Sequence, residues 1–402
     1  MKKIFIVSIL LSALLLNAEI AHHGFIRTYI GTLTQQEGKY SVLQNTFDWR
    51  LDYSRGAVKL FANPVFGYDA INDELNILLR QAYLDIYFDD FDLRIGKQQI
   101  IWGKADGVFI TDIISPRDLS EFLLPDFEEI RIGINAFKLD YYLGNSTFEA
   151  VWIPVFQPAV QPDENSIWAP QMPDFPLPLN YDNSSLEVEN KLSNSEFAFK
   201  YSYLGSALDF ELMAAYLWDD YPAMHSYMQP DTTLLIKPEH HRLPMTGASF
   251  SKSIGGAIMR GEGAYYLGKK FAAEDLTENG IKDKDYLHYL LGYDHNWFGV
   301  NVSFQFIQEY ILDHEDDLQN DEFSSMMTFM ATEDFLRETL RLELFSYLGI
   351  NNEDALLRPK IVYDLADGFE VQLGANLFFG EKGNFGQYEP NDMLYLKLRY
   401  DF

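Results

Sequence analysis

The chain has 402 residues and no cysteine, carries a net charge of −29, and is 15% aromatic, with 25 Tyr and 31 Phe. So acidic a chain is a poor candidate for nucleic-acid binding, which requires a basic surface, and without cysteine it has no disulfide framework. It contains no G-x-S-x-G elbow, Walker loop or H-E-x-x-H motif. The sequence therefore predicts neither an enzyme nor a bound cofactor.

Residues 1–18 have the pattern of a cleaved signal peptide. Lys2 and Lys3 precede an apolar run over 4–16, and Ala18 supplies the small residue at the expected cleavage site, with Ala21 as the alternative. The run is shorter than the roughly 20 apolar residues of a membrane-spanning helix, and no later segment approaches that length. We therefore expect an exported protein with one mature domain, residues 19–402.

Most of that domain alternates between apolar and polar residues, as amphipathic β-strands do. The clearest such segments are 196–203, 209–218, 300–312 and 369–379. Several exceed the five or six residues typical of strands in soluble proteins. Together with the high Tyr and Phe content, they favour a transmembrane β-barrel with aromatic girdles at the membrane interfaces.

The connections between these strands alternate in length. Eight short turns are predicted at 54–56, 89–90, 143–145, 204–206, 254–256, 296–297, 332–334 and 367–368. Nine longer connections are predicted at 34–38, 67–74, 103–130, 157–193, 219–240, 271–283, 313–322, 349–354 and 381–390. With both termini periplasmic, this pattern predicts an all-β, antiparallel outer-membrane barrel of 18 strands. Sixteen is the alternative, because residues 24–39 and 324–331 alternate poorly.

Two long connections are candidates for loops that fold into the lumen. In 103–130, Ser115 has the features of a helix N-cap, followed by Pro116 in the first turn and Asp118 at the third position, which predicts a helix continuing through 119–124. The connection 157–193 holds six prolines that would stiffen it: Pro158, Pro162, Pro170, Pro173, Pro176 and Pro178. Because they follow the fifth and seventh strands, the two loops are expected to meet over one mouth of the barrel. Surface decoration and an external flap are the alternatives.

The first loop also carries an extended motif. It reads GKQ at 96–98, WGKADG at 102–107, DIISPRDL at 112–119 and LPDFEEIR at 124–131. The candidate constriction residues within it are Trp102, Asp106, Asp112, Ser115, Pro116, Arg117 and Asp118. This motif resembles a large group of Gram-negative outer-membrane barrels known as a domain of unknown function and related to alginate-export-type porins. The resemblance implies an outer-membrane barrel. It also implies that some members of this group act together with an inner-membrane exporter and a periplasmic lipid carrier.

Alternation also predicts which charged residues face the lumen. The basic ones form a track of Arg337 and Arg341 on one strand, Arg358 and Lys360 on the next, and Lys397 and Arg399 on the last. One interpretation is a cationic path that draws anionic solutes through the pore. The other is that these side chains pair with Glu262, Glu343, Asp364 and Asp401 and brace the wall.

The excess negative charge lies largely in the longer loops. Residues 313–322 contain six acidic residues and no Lys or Arg. They indicate a solvated rim, or one bridged by divalent cations to lipopolysaccharide. The run Glu239-His240-His241 predicts no metal site, because neighbours on a strand point to opposite faces.

The last segment, 391–402, alternates most cleanly. Leu394, Leu396, Leu398, Tyr400 and Phe402 fall on one face, and charged residues such as Lys397 and Arg399 fall on the other. This is the pattern of a closing barrel strand between lipid and a wet lumen. We expect Tyr400 and Phe402 to serve as a signal for the barrel-assembly machinery.

These features predict a porin-like channel or export conduit for a small or polymeric, possibly anionic, solute. Two alternatives remain: the barrel component of a system that exports lipids or other hydrophobic compounds, and a structural or adhesive barrel with a sealed lumen. The expected partners are outer-membrane lipids, lipopolysaccharide, the assembly machinery and an inner-membrane exporter with its periplasmic carrier.

Overall fold

The computed structural model describes residues 20–36, 38–171, 177–276 and 279–402. They form a closed antiparallel barrel of 18 strands, in which each strand pairs with the next and the last pairs with the first. The predicted fold class and strand number are therefore confirmed, and the alternative of 16 strands is wrong. The predicted signal peptide lies outside the described residues. No helix in the described ranges is long and apolar enough to span a membrane.

All strands are numbered together in chain order. The barrel strands are β1 (Ala21–Leu33), β2 (Tyr40–Arg55), β3 (Val58–Asp69), β4 (Glu74–Tyr87), β5 (Phe91–Gln98), β6 (Ile134–Leu143), β7 (Ser146–Ile153), β9 (Glu196–Tyr203), β10 (Asp209–Trp218), β13 (Arg242–Ile254), β14 (Ala257–Ala272), β15 (Ile281–Trp297), β16 (Val300–Ile311), β17 (Phe323–Phe335), β18 (Leu340–Gly349), β19 (Asp354–Ala366), β20 (Phe369–Phe379) and β21 (Met393–Asp401). A separate small sheet contains β8 (Leu179–Tyr181), β11 (Ala223–Met228) and β12 (Leu234–Glu239). The helices are single turns, α1 (Phe127–Ile130) and α2 (Gly383–Gly386), with 3-10 turns at Asn183–Ser185, Leu192–Asn194 and Glu389–Asn391.

The predicted alternation of short and long connections is confirmed, although the bounds of several connections differ and two turns lie wholly outside the predicted residues. The turn predicted at 296–297 lies at 298–299, and the turn predicted at 332–334 lies at 336–339. The second shift arises because β17 and β18 continue to pair as far as Phe335 and Leu340. Arg337 therefore lies in a turn, with a φ of 60°, and its predicted placement on a strand is wrong.

Side chains alternate between the two faces of the barrel wall. On β21, Met393 and Tyr395 are buried inside, whereas Leu394 and Tyr400 are exposed outside. On β4, Leu75 and Ile77 are each 68% exposed on the outside. Such a continuous apolar outer face suits contact with lipid.

The connection between β5 and β6, residues 99–133, folds into the barrel and is called the inner loop below. Its Trp102, Ile110 and Ile114 are at most 3% exposed and pack among inward-facing strand residues, and its Ile130 is 1% exposed. An 18-stranded wall is too wide to fill its own lumen with side chains. The inner loop therefore supplies much of the interior packing.

The helix predicted from Ser115 through 124 is wrong. The Ser115 hydroxyl accepts a hydrogen bond from Ile100 N at 2.8 Å and donates to Ile100 O, so it does not cap a helix. Asp118 N donates to Ile130 O, which places this segment in an extended pairing with the loop's own return path. These long-range bonds use backbone groups that a helix would have satisfied internally.

The second long loop, residues 154–195, meets the inner loop as predicted. Val160 N donates to Arg117 O at 2.8 Å, and Val160 O accepts from Leu119 N at 2.9 Å. Further along, Trp168 is buried against Phe378 and Tyr388 near β20 and β21. Pro173 and Pro176 lie outside the described residues.

Candidate functional site

The inner loop is fixed to the wall through two buried carboxylates. The indole Nε1 of Trp102 donates to Glu149 Oε1 on β7 at 2.5 Å. Glu262 on β14 accepts hydrogen bonds from Lys104 N at 2.6 Å, and from Thr111 N and Oγ1 at 2.8 and 2.7 Å. Both carboxylates are thus committed to positioning the loop, because hydrogen bonds to an ionised acceptor are among the stronger ones.

A third anchor is formed by Arg260, two residues before Glu262 on β14, and by Gln305 on β16. The Arg260 guanidinium donates to the Asp106 carboxylate and to the Lys104 carbonyl. Gln305 on β16 accepts from Asp106 N at 3.0 Å and donates to Asp106 O at 2.7 Å. Gly107 follows with a φ of +81°, and a Cβ there would lie 2.4 Å from the Phe345 ring.

The remaining motif residues hold the loop's own shape. Asp112 accepts from Trp102 N at 3.0 Å and forms an ion pair with Arg131 at 2.6 Å. Arg117 lies over the rings of Phe109 and Tyr221. Pro116 O accepts from Ile132 N at 2.8 Å, and Asp118 Oδ1 from Ser120 N at 3.0 Å. The motif is therefore mainly a framework.

Helix α1 docks the loop on β1, β2 and β4 through alternating charges. Glu129 pairs with Arg27 at 2.9 Å and lies 3.7 Å from Arg80. Arg80 in turn pairs with Asp48, whose side chain is fully buried, at 2.5 Å. Glu128 and Asp48 both pair with Arg50, at 2.9 and 3.0 Å, which extends the chain of alternating charges along the wall.

Beside this contact lies a polar cavity of about 190 Å³, between residues 118–129 of the inner loop and strands β1–β4 and β21. Wall residues facing it include Arg27, Arg80 and Lys397, and loop residues facing it include Glu121 and Glu129. This polar cavity has cations on the wall and carboxylates on the loop.

Two cations at or beside this cavity form no ion pair with any described residue. Lys397 Nζ, which lines the cavity, lies over the ring of Tyr29 at 4.7 Å. Arg358, beside it, donates to the carbonyls of Leu123 and Leu124, at 2.9 and 2.7 Å. The inner-loop carboxylates Asp118 and Glu121 at the cavity, and Asp126 immediately before α1, form no ion pair with a described residue either.

The pKa of Asp126 reports the charge around it. Burial raises this pKa, but Lys397, Arg27, Lys360 and Arg358 together lower it by more, so the pKa stays below its ordinary value. At Glu121, burial raises the pKa, although its carboxylate accepts a 2.6 Å hydrogen bond from Gln44. Four wall cations thus act together on Asp126 and favour its ionised form.

The basic track predicted from the sequence is divided among different roles. Arg341 pairs with Asp334 at 2.7 Å, Lys360 with Glu343 at 2.8 Å and Arg399 with Asp401 at 2.7 Å, as wall bracing requires. Arg358 anchors the inner loop, Arg337 lies in an exposed turn, and Lys397 alone of the six lines the polar cavity.

Arg27 and Arg80 were not predicted, although both line the cavity. Arg80 lies at a register shift between β3 and β4: Asn63 pairs with Gln81 and Pro64 with Leu79, which leaves Arg80 as the extra residue of a β-bulge. A bulge redirects a side chain, and proline within a sheet is found at such positions. Pro64 is the sequence feature from which this bulge could have been predicted.

At the closing seam, Phe402 lies beside β1. Its backbone N–H and carbonyl exchange hydrogen bonds with Gly24 at 3.0 and 3.1 Å, and its ring stacks on Phe47 at 5.8 Å between centroids. Tyr400 points outward and is half exposed.

The acidic loop 313–322 is partly neutralised. Glu315 pairs with Lys282 and Lys284 at 2.6 and 2.5 Å, and Asp317 pairs with Lys282 at 2.7 Å. Hydrogen bonds from the two lysines lower the pKa of Glu315 to about 2.

Solved structures with the same architecture are outer-membrane porins. OccK8 (OprE) of Pseudomonas aeruginosa has 10% identity and a TM-score of 0.58, covering 96% of this chain and 98% of its own. OccK2 (OpdF) of the same organism, in complex with glucuronate, has 11% identity, a TM-score of 0.58 and the same coverage. OccAB1 of Acinetobacter baumannii has 10% identity and a TM-score of 0.56, covering 95% and 96%. At these identities the likeness establishes the fold alone.

No curated protein shows significant sequence similarity to the chain. A family model, by contrast, matches residues 41–402, which is nearly the whole barrel. That model is described as a protein of unknown function, DUF1302. The chain therefore belongs to the DUF1302 family.

Proposed function

We propose that the barrel is a channel of the Gram-negative outer membrane that lets small polar solutes diffuse past the inner loop, with a preference for solutes bearing a carboxylate. The observation that carries this proposal is the Lys397 ammonium at the polar cavity, which forms no ion pair with any described residue and instead lies over the ring of Tyr29. Arg358 beside it likewise donates to backbone carbonyls and not to a carboxylate. A cation without a carboxylate partner in a confined wet space attracts passing anions.

Two further observations support a channel over the alternatives. Charged side chains, among them Arg27, Arg80 and Lys397, project into the cavity, and every neighbouring pair of barrel strands is hydrogen-bonded, including β1 with β21. A conduit for lipids would favour an apolar lumen with a lateral opening. Glucuronate, which the OccK2 structure contains, belongs to the proposed class of carboxylate-bearing solutes.

The test is to measure the reversal potential of the reconstituted barrel in planar bilayers under a KCl gradient. Wild type should prefer anions, and Lys397→Gln should lower the anion-to-cation permeability ratio, with a smaller effect at high salt because screening shortens electrostatic reach. Arg341→Gln is the matched control, since it also removes one wall cation but from a pair with Asp334.

Two results would contradict the proposal. A silent bilayer with correctly folded protein would favour the sealed barrel or the lipid-export component. An open channel whose permeability ratio is the same in wild type and Lys397→Gln would mean that the wall charges only brace the barrel.

A further inference from the structure

Away from the polar cavity, two histidines and a glutamate converge in the connection between β10 and β13. His225 lies on β11, Glu239 ends β12, and His241 lies just before β13. One ligand atom from each lies within 4.8 Å of the others, and the two histidine Nε2 atoms are 2.8 Å apart. It is the one such grouping of three potential ligands in the parts of the chain that the structure describes.

The small sheet explains why these residues meet. Ala223 pairs with Glu239 across β11 and β12, so both lie on one face. His225 is two residues beyond Ala223 and shares that face, because side chains alternate along a strand. His241 is two residues beyond Glu239, whereas His240 is directed elsewhere and donates from Nδ1 to the Asp219 carbonyl at 2.8 Å.

We propose that His225, Glu239 and His241 form a binding site for a divalent transition-metal ion of the Zn²⁺ class. Imidazole nitrogens with a carboxylate are ligands that Zn²⁺ and its neighbours prefer, whereas Ca²⁺ and Mg²⁺ prefer oxygen alone. Three protein ligands leave a fourth tetrahedral position open to water or a solute group.

Tetrahedral coordination of a metal ion by these three residues would require only small side-chain movements. With Zn–N bonds of about 2.0–2.1 Å and tetrahedral angles, the two Nε2 atoms would be about 3.3 Å apart. From their separation of 2.8 Å, the rings must part by roughly half an ångström. Glu239 is exposed and free to rotate toward the ion. The His241 backbone is held in place, since its carbonyl accepts from Asp219 N at 2.8 Å.

The surrounding charges permit a bound dication. Lys270 is the nearby cation that acts on His241, and its ammonium is paired with Asp283 at 2.5 Å. Glu239 itself offsets one charge of the ion. His225 Nδ1, however, is buried without a hydrogen-bond partner. Because metal-bound histidines usually donate their second N–H to a partner, we expect binding about 10–100-fold weaker than at a site that has this partner.

A bound ion would stiffen the long-loop end of the barrel. It would link β11 and β12 to the segment that enters β13, and β12 also pairs in parallel with β8 of the second long loop. Metal binding would therefore order these loop segments, which is a role separate from selection at the polar cavity.

The experiment is a Co²⁺ titration of the full-length, detergent-solubilised barrel, stripped with chelator and lacking a polyhistidine tag. Visible absorption typical of four-coordinate Co²⁺ should appear at one equivalent and be displaced by Zn²⁺. His225→Ala and His241→Ala should each weaken binding by about tenfold or more. His240→Ala is the matched control and should bind as wild type does.

Glu239→Gln guards against misfolding of the histidine variants, because this side chain is exposed. It should keep the heat-modifiable fold and shift the Co²⁺ spectrum or weaken binding. Wild type that binds no more Co²⁺ than the His225→Ala/His241→Ala double variant would overturn the site. Loss of binding in His240→Ala with retention in His225→Ala would overturn it as well.

Discussion

Glu262 on β14 accepts hydrogen bonds from both the backbone N–H and the hydroxyl of Thr111 in the inner loop. A third bond comes from Lys104 N. One wall carboxylate thus fixes two points of the loop seven residues apart.

Glu262→Ala should loosen the inner loop. It leaves three donors without their acceptor, and each buried unpaired donor costs about 1–3 kcal/mol. We expect a lower unfolding temperature and a noisier, larger single-channel current. Glu211→Ala is the control, because Glu211 accepts from Ser249 on the neighbouring strand and does not contact the loop. Equal current noise in the two variants would show that Glu262 does not restrain the loop.

Gly107→Ala should displace the loop at its other anchor. A Cβ there would lie 2.4 Å from the Phe345 ring, and the φ of +81° is unfavourable for alanine. Gly144→Ala provides the comparison, since Gly144 also has a positive φ but no atom within 4 Å of the added Cβ. Backbone strain alone costs about 1–2 kcal/mol. The unfolding temperature should fall clearly further for Gly107→Ala; equal decreases would exclude a steric role.

The lowered pKa of Asp126 predicts how the selectivity of the channel depends on pH. This pKa is lowered below 3.8, because the surrounding cations outweigh the effect of burial. The ionised form therefore stabilises the folded loop above pH 3.8, and this contribution is lost as pH falls through the lowered value. Asp126 should therefore contribute no change to the permeability ratio between about pH 7 and 5, and a shift toward anions only below about pH 3.8.

Asp126→Asn should show at neutral pH the stronger anion preference that wild type reaches only in acid. Asp316→Asn removes an acid from the 313–322 loop and should leave the ratio unchanged. A transition that lies well above pH 4 in wild type and is absent from Asp126→Asn would contradict the lowered pKa of Asp126.

Phe402→Ala should impair assembly of the barrel. The ring stacks on Phe47 across the β1 and β21 seam, so its loss weakens the contact that closes the wall. We expect a smaller heat-modifiable fraction in outer membranes. Phe323→Ala is the control, because it removes a ring that stacks even more closely, on Tyr310 at 4.5 Å between centroids, away from the seam. Equal folded fractions in both variants would count against an assembly role for Phe402.

The strands were predictable wherever one face meets lipid and the other meets the lumen. β9, β10 and β20 begin and end at the predicted residues for this reason. The inward orientation of Arg80 was not predicted, because a bulge interrupts the period-two pattern and places this residue on the inner face. Local sequence signals also failed at Ser115, whose hydroxyl is satisfied by Ile100 instead of a helix end.

The histidine cluster shows a second limit of sequence patterns. His240 and His241 do point in different directions, as predicted. The missing ligand, His225, lies 16 residues earlier on another strand. Only the pairing of β11 with β12 brings it to Glu239, and strand register cannot be derived from spacing along the chain.

The seam between β1 and β21 also determines how the chain must fold. Phe25 pairs with Asp401, so closing the wall joins nearly the first and last described residues. Ordering so long a loop costs on the order of 5 kcal/mol of chain entropy before any bond of the seam forms. Until then, β1 and β21 are open edges that can pair with other chains and aggregate. Kinetic protection of these two edges is thus a condition for reaching the closed barrel at all.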